Sequence, residues 1–206
     1  MQDSLFLDIC QTNYDAIFKM LDEIIKLCPD ELWNVRTDEP PFWQQLYHTL
    51  FYTDFYLSES MESFKKPTFA EDKAPDLKYV ASEAPSRDQM QDYLKVVKKN
   101  CKSALKKMTP EQLEGKNPFH WTGPTPAHRL VYNIRHTQHH VGWLNSTLSR
   151  TPCPTVGSLK AGKGSPTLRL SRWSARAART DDRITTIAAR ICAADMGRFM
   201  KYSSFL

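Results

Sequence analysis

The chain has 206 residues, 41% hydrophobic and 11% aromatic, which suits one globular domain with at most an appendage and excludes a fibrous or wholly disordered chain. Seven glycines and few Val/Ile alternations argue against a sheet-rich protein and for a helical one. The net charge of +5 suggests an anionic partner until it is divided: residues 1 to 150 hold 18 Lys+Arg against 20 Asp+Glu, and residues 151 to 206 hold 10 against 3.

The first residues lack a basic segment followed by an apolar run, and no apolar stretch nears the roughly 18 residues of a membrane span; a cytoplasmic protein without a membrane partner is expected. From residue 4 to 27, Leu7, Cys10, Tyr14, Ile17, Phe18, Leu21, Ile24 and Ile25 recur at three- and four-residue steps, predicting an amphipathic helix that Pro29 ends. A short connection through Trp33 reaches Glu39-Pro40-Pro41, where proline suits a first helical turn, and a second, heavily aromatic helix follows over 42 to 59 with His48 in its middle. Residues 60 to 85 show prolines, lysines and acids without sustained periodicity and read as a long crossover.

Ser86 is placed to cap a third helix to about residue 108, with Met90, Tyr93, Leu94, Val97, Cys101 and Leu105 as its buried stripe. Lys95, Lys98, Lys99, Lys102 and Lys106 gather on the opposite side; with no interleaved aromatics they read as a solvated face, and no nucleic-acid partner is expected. Thr109-Pro110 opens a short turn of helix, a loop spans 116 to 124, and Thr125-Pro126 starts a fourth helix running to about 149 around Leu130, Ile134, Val141, Leu144 and Leu148. Residues 1 to 150 are therefore expected to be an all-α four-helix bundle with its long crossover between helices two and three. After Arg150 arginine replaces lysine as the main base and histidine disappears, so residues 151 to 206 read as a basic C-terminal extension, flexible or artefactual. Cys10, Cys28, Cys101, Cys153 and Cys192 are scattered without CxxC spacing, which points to buried or idle thiols.

Of the six histidines, His120, His128, His136, His139 and His140 fall within 21 residues, and His48 stands apart. His136 and His140, four residues apart, sit about 40° apart on the helix surface and one turn along it, so both imidazoles can reach one ion. His139 points elsewhere, and His120 and His128 read as loop and first-turn polarity. On the residues alone, the pair is either two metal ligands or two polar residues bordering the core. His48 is either a third ligand from a facing helix or a core histidine packed between Tyr52 and Phe55 with one ring nitrogen bonded to a neighbour.

The string Tyr132-Asn-Ile-Arg-His-Thr-Gln-His-His-Val-Gly-Trp-Leu-Asn145, with Phe42-Trp-Gln-Gln-Leu-Tyr-His48 followed by aromatics and Asp54, resembles the DinB-like (DinB/YfiT) metalloprotein superfamily over roughly residues 5 to 150. The resemblance implies a four-helix bundle with a long crossover after its second helix, and a divalent metal held by His48, His136 and His140. It also implies transferases that use a low-molecular-weight thiol, with metal-dependent hydrolases as the alternative.

Three neutral imidazoles leave coordination positions open, as a catalytic rather than a structural metal requires. Zinc or nickel is the favoured ion, and iron or manganese also suits three nitrogens. Gln45, Tyr52 and Asn133 are expected to orient the imidazoles, the helix-two aromatics and the loop around Trp121 to wall a cleft for a small-molecule substrate, and Asp54 or Glu59 to serve as base if the reaction is hydrolysis. A non-catalytic metal- or ligand-binding bundle, pairing as a homodimer through exposed helix faces, is the reading from a different class.

Overall fold

The computed structural model describes residues 2–35 and 40–150, and the expected extension over 151 to 206, with Cys153 and Cys192, lies outside the described residues. The described residues are all-helical, without a strand, and among them no helix is long and apolar enough to cross a membrane.

α1 (Gln2–Leu27) buries Cys10, Tyr14, Ile17, Phe18, Leu21, Ile24 and Ile25 along one face, the stripe its periodicity predicts except for Leu7, which is only half-buried. It ends where Cys28 donates its N–H to the Ile24 carbonyl and Pro29 has none to offer. The connection that follows holds one helical turn, α2 (Asp30–Trp33), whose Trp33 indole donates to the Pro85 carbonyl at 3.0 Å. α3 (Phe42–Leu57) is buried at every one of its 16 residues, which explains why it carries aromatics on all sides and shows no amphipathic pattern. It is shorter than the predicted 42 to 59: Ser58 turns to extended backbone and its hydroxyl donates to the Phe55 carbonyl at 2.6 Å, so Glu59 falls outside the helix and is exposed.

α4 (Arg87–Lys107) buries all six residues of its predicted stripe. Its start is a capping box, in which the Gln89 N–H donates to the Ser86 hydroxyl at 3.2 Å and the Ser86 N–H donates to Gln89 Oε1 at 2.8 Å. Ser86→Ala is expected to lower unfolding free energy by about 1 kcal/mol in urea titration; an unchanged midpoint and slope would show the cap to be idle. α5 (Pro110–Glu114) and a 3-10 turn (His120–Thr122) lead to α6 (Pro126–Arg150). At Gly123 φ is +127°, and an added Cβ would lie 2.6 Å from the His128 Cβ, so only glycine lets the loop turn into α6 here.

The four long helices pack in neighbouring pairs: α1 with α4 and α6, and α3 with α4 and α6. Tyr47 meets Tyr93 with ring centroids 6.1 Å apart, and seven residues further along both helices the Asn100 amide donates to Asp54 at 2.9 Å, so α3 and α4 run in the same direction. Two parallel neighbours need a connection that returns along the bundle, and residues 58–86, after α3's roughly 24 Å, make that return against α3 itself. α6 runs antiparallel to α3. A buried polar ladder sets their register: Thr53 and Thr137 share a 2.8 Å hydrogen bond, and the Asn133 amide donates to the Thr53 carbonyl at 3.0 Å. Because those groups lose water on burial, any slip of α6 along α3 strands them unpaired, at about 1–3 kcal/mol each. That register puts His48 opposite His140.

Candidate metal centre

His48 sits in the middle of α3, and His136 and His140 lie on successive turns of α6 on the side that faces α3. Their ring nitrogens converge: His140 Nε2 is 3.1 Å from His48 Nε2 and 3.2 Å from His136 Nε2, and the three ligand atoms lie within 4.8 Å of one another. His48 is buried, and His136 and His140 are half-buried.

The protonation pattern follows from the partners. His48 Nδ1 lies 2.6 Å from the Pro75 carbonyl, which only accepts, so the proton resides on Nδ1 and Nε2 presents a lone pair to the other two rings. His140 Nε2 carries at most one proton and can donate to only one of its two neighbours. Nitrogen lone pairs are thereby aimed at one another, an arrangement a cation resolves. Nitrogens bound at about 2.1 Å to one ion stand about 3.0–3.4 Å apart in octahedral or tetrahedral geometry, which matches the two short separations. Burial pushes the His48 pKa from 6.5 down to about 4, opposed by its bond to Pro75 and by the charge of Asp76. Burial first, then the neighbouring His48, hold His136 and His140 well below the ordinary range, so all three imidazoles are neutral at pH 7 and ready to ligate.

Aromatic rings wall the cluster. Tyr52 lies 4.7 Å from the His48 ring centroid and 5.9 Å from that of His136, and Tyr132 stacks parallel to His136 at 6.1 Å. Tyr56 packs edge-on against Tyr132 and His136, and its hydroxyl accepts from the Trp121 indole at 3.2 Å, tying the 116 to 124 loop to the wall. Asn117 knots that loop, its amide donating to the Phe119 and Gly123 carbonyls and the Thr122 hydroxyl at 2.7–2.9 Å.

Four expectations about supporting residues are corrected. Asp54 points at α4, where Asn100 and Tyr93 donate to its carboxylate and burial raises its pKa; it turns away from the imidazoles. Glu59 lies beyond the end of α3 and is exposed. Asn133 holds the α3–α6 register rather than an imidazole, and among the described residues no hydrogen bond joins Gln45 to a histidine. Tyr52 does border the site.

His139 is exposed, its ring 5.1 Å from that of His140 and outside the trio, while His120 flanks Trp121 and His128 shares a 2.8 Å hydrogen bond with Thr125. Cys10, Cys28 and Cys101 are buried free thiols whose pKa burial raises. The partners that sequence reading missed are the Pro75 carbonyl and, beside it, Asp76, the acid whose charge bears on both His48 and Tyr52. A backbone carbonyl has no side-chain signature, and only the i, i+4 spacing of Gln44 and His48 marks the face it meets.

A helical chain that brings three imidazole Nε2 atoms from two facing helices to one point is, by class, a helical protein with a candidate three-histidine metal centre. The chain belongs to the DinB superfamily, whose profile matches residues 13–144 and so takes in all three histidines. No curated protein and no solved structure matches it.

Proposed function

We propose that the chain is a divalent-metal-dependent enzyme that transfers a low-molecular-weight thiol to an electrophilic small molecule. The observation that carries this reading is the convergence of three neutral imidazoles, a ligand set that leaves coordination positions for a substrate. When bound there, a divalent ion supplies Lewis acidity that lowers the pKa of a thiol or water reaching it, giving a nucleophile at neutral pH. Zinc or nickel suits the three nitrogens, with iron or manganese also compatible.

The chain's own residues do the remaining work. His48, fixed by Pro75, holds one face of the site rigid, and Tyr52, Tyr56 and Tyr132 line the approach with apolar ring surface that excludes water and receives the body of a substrate. The thiol reading is favoured over hydrolysis because Asp54 bonds toward α4 and Glu59 lies exposed beyond the end of α3, and a nucleophile that needs little further deprotonation suits a site where neither serves as base. Hydrolysis of an ester or amide is the second reading, and Asp76 favours it as the carboxylate acting on His48. Metal-stabilised binding without turnover, or pairing with a second copy, is the non-enzymatic alternative.

The test is to load the protein with zinc or nickel and follow thiol loss against a panel of electrophiles, alongside ester and amide cleavage. Asp76→Asn separates the two chemistries, since an amide still accepts the Lys78 N–H bond now made at 2.9 Å. Thiol transfer is expected to survive the change within about threefold, whereas hydrolysis that uses Asp76 as base would fall roughly 100-fold or more. Thiol transfer undetectable with every loaded metal would sink the transferase reading.

A further inference from the structure

We infer that Gln44 is a positioning residue of the metal centre: by gripping the folded segment 71–83 it fixes the Pro75 carbonyl that sets the tautomer and ring angle of His48. The inference rests on reading the three imidazoles as a metal site. Gln44 precedes His48 by one turn and shares its face of α3. Its amide nitrogen lies 3.2 Å from the Ala74 carbonyl, 3.1 Å from that of Asp76 and 2.9 Å from that of Tyr79. An amide has two hydrogens for these three acceptors, so one is shared, and the reverse orientation would aim its oxygen at three carbonyl oxygens. The amide is therefore committed to the segment, and Pro75 lies between two of the carbonyls it holds.

The segment is built to be held. The Glu71 carboxylate accepts from the Tyr79 hydroxyl at 2.6 Å, the Ser82 N–H at 2.6 Å, the Ser82 hydroxyl at 2.8 Å and the Glu83 N–H at 3.1 Å, closing residues 71–83 into a loop. Backbone turns stiffen its near side: Ala74 donates to Glu71 and Asp76 to Lys73, each at 2.9 Å, and Tyr79 donates to Asp76 at 3.0 Å. Glu71 thus shapes the loop and Gln44 seats it. At the seat, His48 Nδ1 donates to Pro75 at 2.6 Å and presents Nε2 to the two α6 histidines. A loose loop would free the His48 ring to swap tautomers, which removes the ligating lone pair from the cluster.

The test uses the untagged full chain, labelled with ¹⁵N-histidine, with zinc alone as the probe. In Gln44→Leu the zinc affinity, measured by chelator competition, is expected to fall roughly 10–100-fold. In the zinc-free protein, the His48 ring nitrogens are expected to shift from a single Nδ1–H tautomer toward a mixture. Glu71→Gln, a change in the loop that leaves α3 intact, should move both readouts in the same direction by a smaller amount, and it carries the test if Gln44→Leu does not fold.

Ile17→Ala on α1 is the control for general loss of stability, because it should lower the melting temperature without moving the His48 nitrogens. Zinc affinity within about twofold of wild type and an unchanged tautomer in the Gln44 and Glu71 variants would overturn the inference. So would an equal affinity loss in Ile17→Ala. If wild type binds no zinc, the metal reading fails, and the zinc-free tautomer measurement still decides whether Gln44 sets the His48 ring.

Discussion

His140→Ala purified without a histidine tag is expected to contain less than about one tenth of a metal ion per chain, where wild type contains about one. His140 Nε2 is the nitrogen that lies near both others, 3.1 Å from His48 and 3.2 Å from His136, so its loss deletes the central ligand of the trio. Loss of an outer partner of a ligand costs about 10–100-fold in affinity, and loss of the central ligand should cost more. His136→Ala is expected to behave alike, with somewhat more residual binding because His48 and His140 remain adjacent. Both variants should keep their helical circular dichroism, since the main apolar core consists of other residues on α1, α3, α4 and α6. Plasma mass spectrometry on wild type and both variants checks this, and wild-type protein that takes up no metal even after incubation with zinc or nickel would overturn the metal reading itself.

Acidification of the metal-free protein is the second large effect. Burial lowers all three imidazole pKa values, that of His48 to about 4, so the unfolded chain binds more protons than the folded one at mildly acidic pH. Stability is then fully present above the ordinary histidine value of about 6.5 and is lost as pH falls from there toward about 4. At 1.36 kcal/mol per pH unit, His48 alone accounts for about 3 kcal/mol over that window. Asp54 works in the opposite sense, because burial raises its pKa and acid relieves the cost of its charge. The Glu71 carboxylate, held down to about 2 by the Tyr79 hydroxyl and Ser82, releases its contribution only at lower pH, outside the histidine window. Urea unfolding at pH 7.5, 6, 5 and 4.5 should therefore show a falling free energy that is shallower in His140→Ala. A flat profile for wild type would mean that the imidazoles are solvated in the metal-free protein.

Much of the architecture was legible in the helical period. The stripe from Met90 to Leu105 is buried as its spacing predicts, as is that of α1 from Cys10 to Ile25, and Ser86 caps α4 as its position suggests. These elements are amphipathic, and an element with one wet face states its own orientation. α3 does not, because all 16 of its residues are buried. A helix surrounded on every side has no polar face to orient it, which is why Asp54, read as a neighbour of His48, belongs instead to the α4 side with Asn100 and Tyr93. The same loss of contrast hides the end of the helix, which stops at Leu57, two residues before the expected Glu59.

The sequence by itself determined the all-helical class, the long helices and the spacing that sets His136 and His140 on one face, because each of these follows from local periodicity and capping. Only the tertiary structure decided that His48 meets that pair, since the meeting depends on the register set by Thr53, Asn133 and Thr137 across two helices about eighty residues apart in the chain. It also decided which nitrogen of His48 is presented, through a backbone carbonyl at Pro75 held by Gln44 and Glu71. Long-range register and backbone acceptors leave no mark in residue type, so they become readable only when the chain has folded upon itself.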